Sequence, residues 1–252
     1  MSTSLDALGQ SVALLESIEH DLPPDKVRAP AYPTEWTIAD VFSHIGSGAV
    51  ILRRRFEDAL GGVESDPDFN QRVWDEWNAK EPESQVSDAT GADLALLESL
   101  ERTNDAQRAA FHLSFGPFEL DFDGFAGLRL GEHALHTWDV AVALDPSATL
   151  PASSTEILIG TVGRTAAFAG KPSGTERTFH VTTSAPERGF TVAIGTDAVE
   201  LTPSDPAASP DLELPSEAFI RLVYGRLDPA HTPTVGGSQG VLDQLRSVFP
   251  GF

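Results

Sequence analysis

Apolar residues in the first part of the chain recur at helical spacing. Leu5, Leu8, Val12, Leu15 and Ile18 step by threes and fours into one stripe that stops at Pro23-Pro24. A second stripe runs through Ile38, Val41, Phe42, Ile45, Ala49, Leu52 and Phe56. It predicts a helix capped by Thr37, with Asp40 in its first turn and Gly61-Gly62 at its end. Residues 63–87 are polar and hold Pro67 and Pro82, which predicts a long connection with room for one helical turn. Leu94, Leu97 and Leu100 predict a third helix over Thr90–Leu113. After the break at Gly116-Pro117 and an apolar-acidic alternation over Phe118–Phe122, a fourth is expected over Phe125–Leu144. Four helices joined by one long crossover predict a bundle.

Beyond Asp145-Pro146 the pattern changes. A short helix fits Thr155–Phe168. Phe179–Thr183 and Phe190–Ile194 are β-branched runs separated by Pro186 and Gly189, the pattern of a hairpin, and Ala198–Leu201 adds a third short strand. Thr202–Pro215, with its prolines, reads as loop. Ser216 is expected to cap a helix reaching Gly225, and a last helix fits Gln239–Phe249. The expected architecture is therefore two domains: an α domain over 1–146 and a small α+β domain over 155–252.

Composition narrows the function classes. The chain has 252 residues, 40% of them hydrophobic and 22% charged, as a globular protein does. No apolar run reaches the ~20 residues needed to span a bilayer, and the N-terminus lacks a secretory pattern. Acidic residues outnumber basic ones 38 to 17, giving a formal charge of −21. That field repels phosphate backbones and anionic lipid, which argues against nucleic-acid and membrane-surface roles. The absence of cysteine excludes disulfides, thiolate metal sites and a cysteine nucleophile, so any thiol must come from outside the chain. Together these features predict a cytoplasmic protein, monomer or homodimer, and the Arg-, Ala-, Gly- and Asp-rich composition suits GC-rich coding.

The chemistry concentrates in the fourth helix, LRLGEHALHTWDVAVAL from Leu128. At about 100° per residue, with Leu128 at zero, Leu135 and Val142 mark the buried face. Glu132, Asp139 and His136 fall within about 80° of it on the same wheel, whereas His133, near 140°, points away. Buried carboxylates need compensation. Glu132 and His136, at i and i+4, suit two ligands of one metal, and His44 on the second helix can complete a His, Glu, His set. Three N/O ligands with an open position are the pattern of a catalytic zinc site. The same spacing also fits a structural cluster in which Glu132 pairs with Arg129, and the residues alone leave both open. His20, His112 and His231 sit beside turns and read as solvated, and His180 as a core or edge residue. Trp74 and Trp77 would cover the bundle end, and Trp138 is either core or pocket wall. The Phe115, Phe118, Phe122, Phe125 run and the Phe190–Ile194 strand fit plain core or an apolar pocket.

Two segments carry a resemblance. Trp36-Thr37-Ile38-Ala39-Asp40-Val41-Phe42-Ser43-His44, with Arg129-x-x-Glu132-x-x-x-His136-x-x-Asp139, resembles the mycothiol-dependent maleylpyruvate isomerase and S-transferase family. Phe219–Arg226 looks like that family's closing helix, so the likeness covers nearly the whole chain. The resemblance implies an up-down, DinB-like four-helix bundle followed by a sterol-carrier-like α+β domain. It implies a divalent metal, usually zinc, on His44, Glu132 and His136, with mycothiol, the small thiol of actinobacteria, as cosubstrate. Asp40 and Asp139 would then orient the two imidazoles, and Arg129 would orient Glu132 or Asp139. A metal-activated external thiolate attacks a small electrophile in either branch: a transferase releases the conjugate, an isomerase of maleylpyruvate type eliminates the thiol again. An anionic substrate calls for a cationic clamp, for which Arg226 and Arg221 are candidates, with Trp138 as a possible wall. The strongly acidic chain tips the expectation toward the transferase. The competing expectation from another class is a non-catalytic protein that encloses an apolar ligand.

Overall fold

Local signals at the helix ends explain where the long helices begin. In the computed structural model, which describes residues 3–116, 118–172 and 174–251 without the side chains of Phe115 and Phe118, Thr3 caps helix α1 (Ser4–Asp21) through a reciprocal pair with Asp6. Thr37 does the same for α2 (Ile38–Gly61) with Asp40, and Gly62 ends it in the left-handed conformation. The expected stripes of both helices face inward: Ala7, Leu8, Val12 and Leu15 from α1, and Ile38, Val41, Phe42, Ile45, Ala49, Leu52 and Phe56 from α2, are buried.

The segment between Gly62 and the hairpin differs from the sequence reading. It holds two helices, α3 (Phe69–Asn78) and α4 (Pro82–Glu101), rather than a polar connection. Pro82 opens α4 instead of breaking the chain, because a proline at the first helical position lacks only an N–H that would go unpaired anyway. The helix ends at Glu101, and Asn104, capped reciprocally with Gln107, starts the short α5 (Asp105–Ala110). The buried face of α4 includes Val86, Ala89, Asp93, Leu96 and Leu100, while Leu94 is 44% exposed. A charged residue thus occupies the inward position where a leucine was expected.

A small hairpin, β1 (Leu113–Phe115) and β2 (Phe118–Leu120), precedes α6 (Phe122–Leu144), which Asp121 caps through the Gly124 N–H. Pro117 and the side chains of Phe115 and Phe118 lie outside the described residues, so of that phenylalanine run only Phe122 and Phe125 can be placed as core or pocket. Both are buried, around Phe56 and Phe111, as core. Helix α2 packs on α4 and α6, and α1 packs on α6 and α4, so four long helices enclose one core.

Trp77 of α3 lies over α2 where Gly46 leaves room: a Cβ there would sit 2.2 Å from the indole and 3.0 Å from the Ala89 backbone. The neighbouring Trp74, expected to cover the bundle end with Trp77, is 43% exposed. Gly46→Ala is expected to destabilise the unit by about 2 kcal/mol, because overpacking outweighs the ~1 kcal/mol gain in helix propensity. Chemical denaturation checks it, and a variant as stable as the parent would refute the close packing.

The second compact unit, Thr149–Phe252, contrasts with the first, Met1–Ala148. Gly160 and Thr161 divide the expected single helix into α7 (Ala152–Leu158) and α8 (Val162–Ala169). The strands are β3 (Arg177–Ser184), β4 (Arg188–Ile194), β5 (Val199–Ser204), β6 (Leu212–Pro215) and β7 (Gly236–Gly237), ordered β5-β4-β3-β6-β7. Strands β3 to β5 form the expected antiparallel meander. Strand β6, inside the stretch read as loop, pairs parallel with β3 through Leu212 and Leu214, both buried. His180 lies on β3 but faces solvent, neither core nor edge. Helix α9 (Ser216–Val223) starts at Ser216 itself, with Pro215 before it and no side-chain cap, so Ser216 is not the expected cap. The Ser216 hydroxyl lies 2.8 Å from both Thr183 Oγ1 and the Pro186 carbonyl, tying helix to hairpin turn. Helix α10 (Gln239–Val248) closes the chain. No helix among the described residues is long and apolar enough to cross a membrane.

Candidate metal centre

Helices α2 and α6 lie side by side, and their adjoining faces bring His44, Glu132 and His136 together. One ligand atom from each lies within 4.8 Å of the others. Glu132 Oε2 is 3.8 Å from Nε2 of both His44 and His136, too long for a hydrogen bond. The imidazole rings of the two histidines meet edge to face at 4.4 Å. Side-chain exposure falls from 50% at Glu132 and 41% at His44 to 13% at His136, so the cluster is open on one side. Partial burial alone would raise the Glu132 carboxyl. The approach of His44, the charges of His136 and His44 and, behind them, Arg129 overcome it and hold the group down at about 2. Glu132 is therefore a carboxylate over the whole physiological range.

The donor set fits a divalent metal of borderline character. Two imidazole nitrogens and a carboxylate oxygen are the ligands such ions take in open catalytic sites. Ligand atoms of a tetrahedral zinc lie roughly 3.3–3.5 Å apart, so the two 3.8 Å separations from Glu132 and the 4.8 Å bound on the whole set would close by inward movement of the side chains.

Asp139 backs this centre. Its carboxylate, fully buried, accepts from His136 Nδ1 at 2.9 Å, which leaves Nε2 directed at Glu132. Asp139→Asn is expected to weaken zinc binding about tenfold, because an amide of the same size holds the imidazole less strongly. Titration against a chromophoric chelator measures it, and an unchanged affinity would refute the role. A loop delivers a further wall. Ala31 N donates to Trp36 O and Ile38 N to Ala29 O, while Tyr32 N reaches the Asp139 carbonyl at 3.2 Å. The Trp36 indole consequently stacks on His136 (6.0 Å, 15°) and tilts over His44 (5.2 Å).

Several expected roles move. Asp40 does not orient His44: its Oδ2 accepts from the Thr37 N–H at 2.8 Å and the Thr37 hydroxyl at 2.7 Å, as part of the helix cap. Arg129 pairs with neither Glu132 nor Asp139. Its Nη2 donates to Asp93 Oδ1 at 2.5 Å and to the Ile45 carbonyl at 2.9 Å. His133 does not point away but is fully buried, its Nε2 3.1 Å from Asp93 Oδ2 and its Nδ1 2.8 Å from the Ser11 hydroxyl. Trp138 is core, 2% exposed, its indole N–H on the Ala148 carbonyl and its ring against Tyr32.

In the second unit Arg221 is buried in a fork on Glu217, at 2.8 and 2.9 Å, and donates to the Arg226 and His231 carbonyls. It organises the loop after α9 and is not available to clamp a substrate. Arg226 is half-buried and donates to the Tyr224 carbonyl. His112 is solvated and pairs with Glu119, His20 is exposed, and His231 binds Asp228. Sequence reasoning missed Trp36, Asp93 and His133. Trp36 stood in the motif itself, one residue before the cap, but nothing in the periodicity of α4 marked Asp93.

The comparisons agree with the resemblance drawn from the motifs. The sequence profile of the mycothiol maleylpyruvate isomerase N-terminal domain matches residues 8–141. A solved structure of a histidine-to-alanine mutant of the mycothiol-dependent maleylpyruvate isomerase superposes with a TM-score of 0.65 at 12% identity. The match covers 94% of this chain and 96% of that one. Another structure of the mycothiol-dependent maleylpyruvate isomerase gives 0.64 at 12% identity, over 90% and 92%. At such identity the likeness is one of fold. No curated protein matches the chain. With the profile spanning more than half of its length, this chain belongs to the family of the mycothiol maleylpyruvate isomerase N-terminal domain.

Proposed function

We propose that the protein is a zinc-dependent enzyme that uses mycothiol as an external nucleophile and transfers it to a small electrophile. The observation that carries this is the convergence of His44, Glu132 and His136 from α2 and α6 with Asp139 behind His136. Bound there, zinc would supply the positive charge that favours the ionised form of an incoming thiol near neutral pH. The chain supplies the rest of the site. Asp139 fixes which nitrogen of His136 faces the centre, Glu132 stays ionised and contributes the single negative charge, and Trp36 walls the two imidazoles. With no cysteine in the chain, the attacking sulfur belongs to the cosubstrate.

Two observations support transfer over isomerisation of a dicarboxylate. Of the two arginines expected to clamp an anionic substrate, Arg221 holds the internal carboxylate of Glu217 and so offers no guanidinium there. The chain also carries a formal charge of −21, which opposes a dianion at long range. Mycothiol-dependent isomerisation is the second reading, favoured by the likeness to the two solved isomerase structures. Under either reading, Met1–Ala148 is the DinB-like bundle that holds the metal, Thr149–Phe252 is the sterol-carrier-like part, and dependence on a reduced thiol supports a cytoplasmic setting.

The test is a product assay. Zinc-loaded protein is incubated with mycothiol and either maleylpyruvate or a neutral alkyl or aryl halide, and products are read by mass spectrometry. A conjugate that has gained the thiol and lost halide supports transfer. A maleylpyruvate product of unchanged mass, with the thiol recovered, supports isomerisation. Turnover of none of these would favour a non-catalytic binder of apolar ligands.

A further inference from the structure

A second cluster of titratable side chains lies wholly inside the first unit. Asp93 on α4, Arg129 and His133 on α6 are 1%, 3% and 0% exposed. Asp93 receives Arg129 on one oxygen and His133 Nε2 on the other. Nδ1 of His133 lies 2.8 Å from the Ser11 hydroxyl of α1, with Thr137 Oγ1 also at 3.2 Å. Helix α2 joins through its backbone: Arg129 Nη2 donates to the carbonyl of Ile45, the residue after His44. Gly48, one turn on, admits the guanidinium, since a Cβ there would stand 3.1 Å from Nη1. The network touches all four long helices and meets the metal centre at both of its supports.

Stability does not account for such a network. A buried ion pair replaced by packed apolar residues of similar volume is often neutral or stabilising. This one also leaves Arg129 Nε buried without a hydrogen-bond partner. What it gives is directional: hydrogen bonds have one geometry, whereas an apolar seam between helices tolerates sliding and rotation. Here the fixed direction ties the carbonyl of Ile45, one residue after His44, to Arg129 on α6, one turn before Glu132.

We propose that Asp93, Arg129 and His133 are positioning residues for the metal centre, holding α2 against α6 so that His44 meets Glu132 and His136 at ligand distance. The inference rests on the metal reading and goes beyond it, because none of the three residues touches the centre's open side.

The experiment replaces the network by apolar residues of similar size, Asp93→Leu with Arg129→Met and His133→Leu, and measures thermal melting and the dissociation constant for zinc. The expected result is a melting temperature at or above the parent's with zinc bound about tenfold or more weakly. Cobalt substituted for zinc should show shifted visible bands, a geometric readout independent of turnover. Unchanged zinc affinity and an unchanged cobalt spectrum would overturn the inference and leave the metal reading standing. A parent that binds no zinc would overturn the metal reading and the inference with it. If the triple variant fails to fold, Arg129→Lys decides. It keeps a cation beside Asp93 but loses the bridge to the Ile45 carbonyl, and it is expected to fold and to bind zinc about tenfold more weakly. Parent-like affinity in that variant overturns the proposal.

Discussion

His136→Ala is expected to reduce bound zinc from near one ion per chain to close to none, read by elemental mass spectrometry on purified protein. The size of the effect follows from the number of ligands. Among the described residues three side chains converge on the centre, and removing one leaves a two-ligand site that cannot hold zinc through purification. His136 is the ligand to remove because it is the most buried of the three and the one whose orientation Asp139 fixes. His112→Ala is the matched control: that histidine is solvated, pairs with exposed Glu119, and should leave zinc content unchanged. Zinc at a hundred times its dissociation constant should also stabilise the parent by about 2.7 kcal/mol and His136→Ala scarcely at all. A zinc-free parent that gains no stability on zinc addition would sink the metal centre and make the binding-protein reading the better one.

How far the sequence reveals this site depends on how each residue is held. Helix α2 was legible at both ends, since its start and stop rest on local chemistry: the Thr37–Asp40 cap and Gly62. The pairing of Glu132 with His136 was legible because one helical turn separates them. Helix α6 defeated the wheel for a physical reason. Its buried residues include Arg129, Leu130, His133, Ala134, Leu135, Thr137, Trp138 and Asp139, most of the circumference, while Leu128, used as the inward reference, is only half-buried. A helix surrounded by neighbours has no single apolar face, so a wheel says nothing about which histidine lies inside. Asp93 was invisible because its burial is justified by Arg129 and His133, 36 and 40 positions away, and not by anything nearby in α4. The same absence of local signal hid β6, whose strand exists because β3 offers it a parallel edge. Clamping arginines were expected from residue type alone, and Arg221 turned out to serve the loop beside it.

Breaking the buried network on one side should be far more damaging than replacing it whole. Asp93→Ala is expected to destabilise the protein by about 3–5 kcal/mol, because it strands the Arg129 guanidinium in the core with only the Ile45 carbonyl left to it. The triple apolar variant removes that charge together with its partner and is expected to lose little or nothing, so the two variants separate the cost of a stranded charge from the cost of losing the network. The pH dependence separates an electrostatic cause from simple cavity formation. Burial alone would raise the Asp93 carboxyl, but the Arg129 and His133 charges and their hydrogen bonds hold it below its ordinary 3.8. A carboxyl depressed in the folded state binds protons more readily when unfolded, so its stabilisation is complete above the unfolded value and fades as pH falls through the folded one. The stability gap between parent and Asp93→Ala should therefore be widest near neutrality and narrow on acidification, as protonation breaks the same pair in the parent. Denaturant melts from neutral pH down through the carboxylate range measure that gap. A gap that stays constant would assign the loss to the cavity alone, and one below about 1 kcal/mol throughout would show that the Asp93 carboxylate does not hold Arg129 in the core at all.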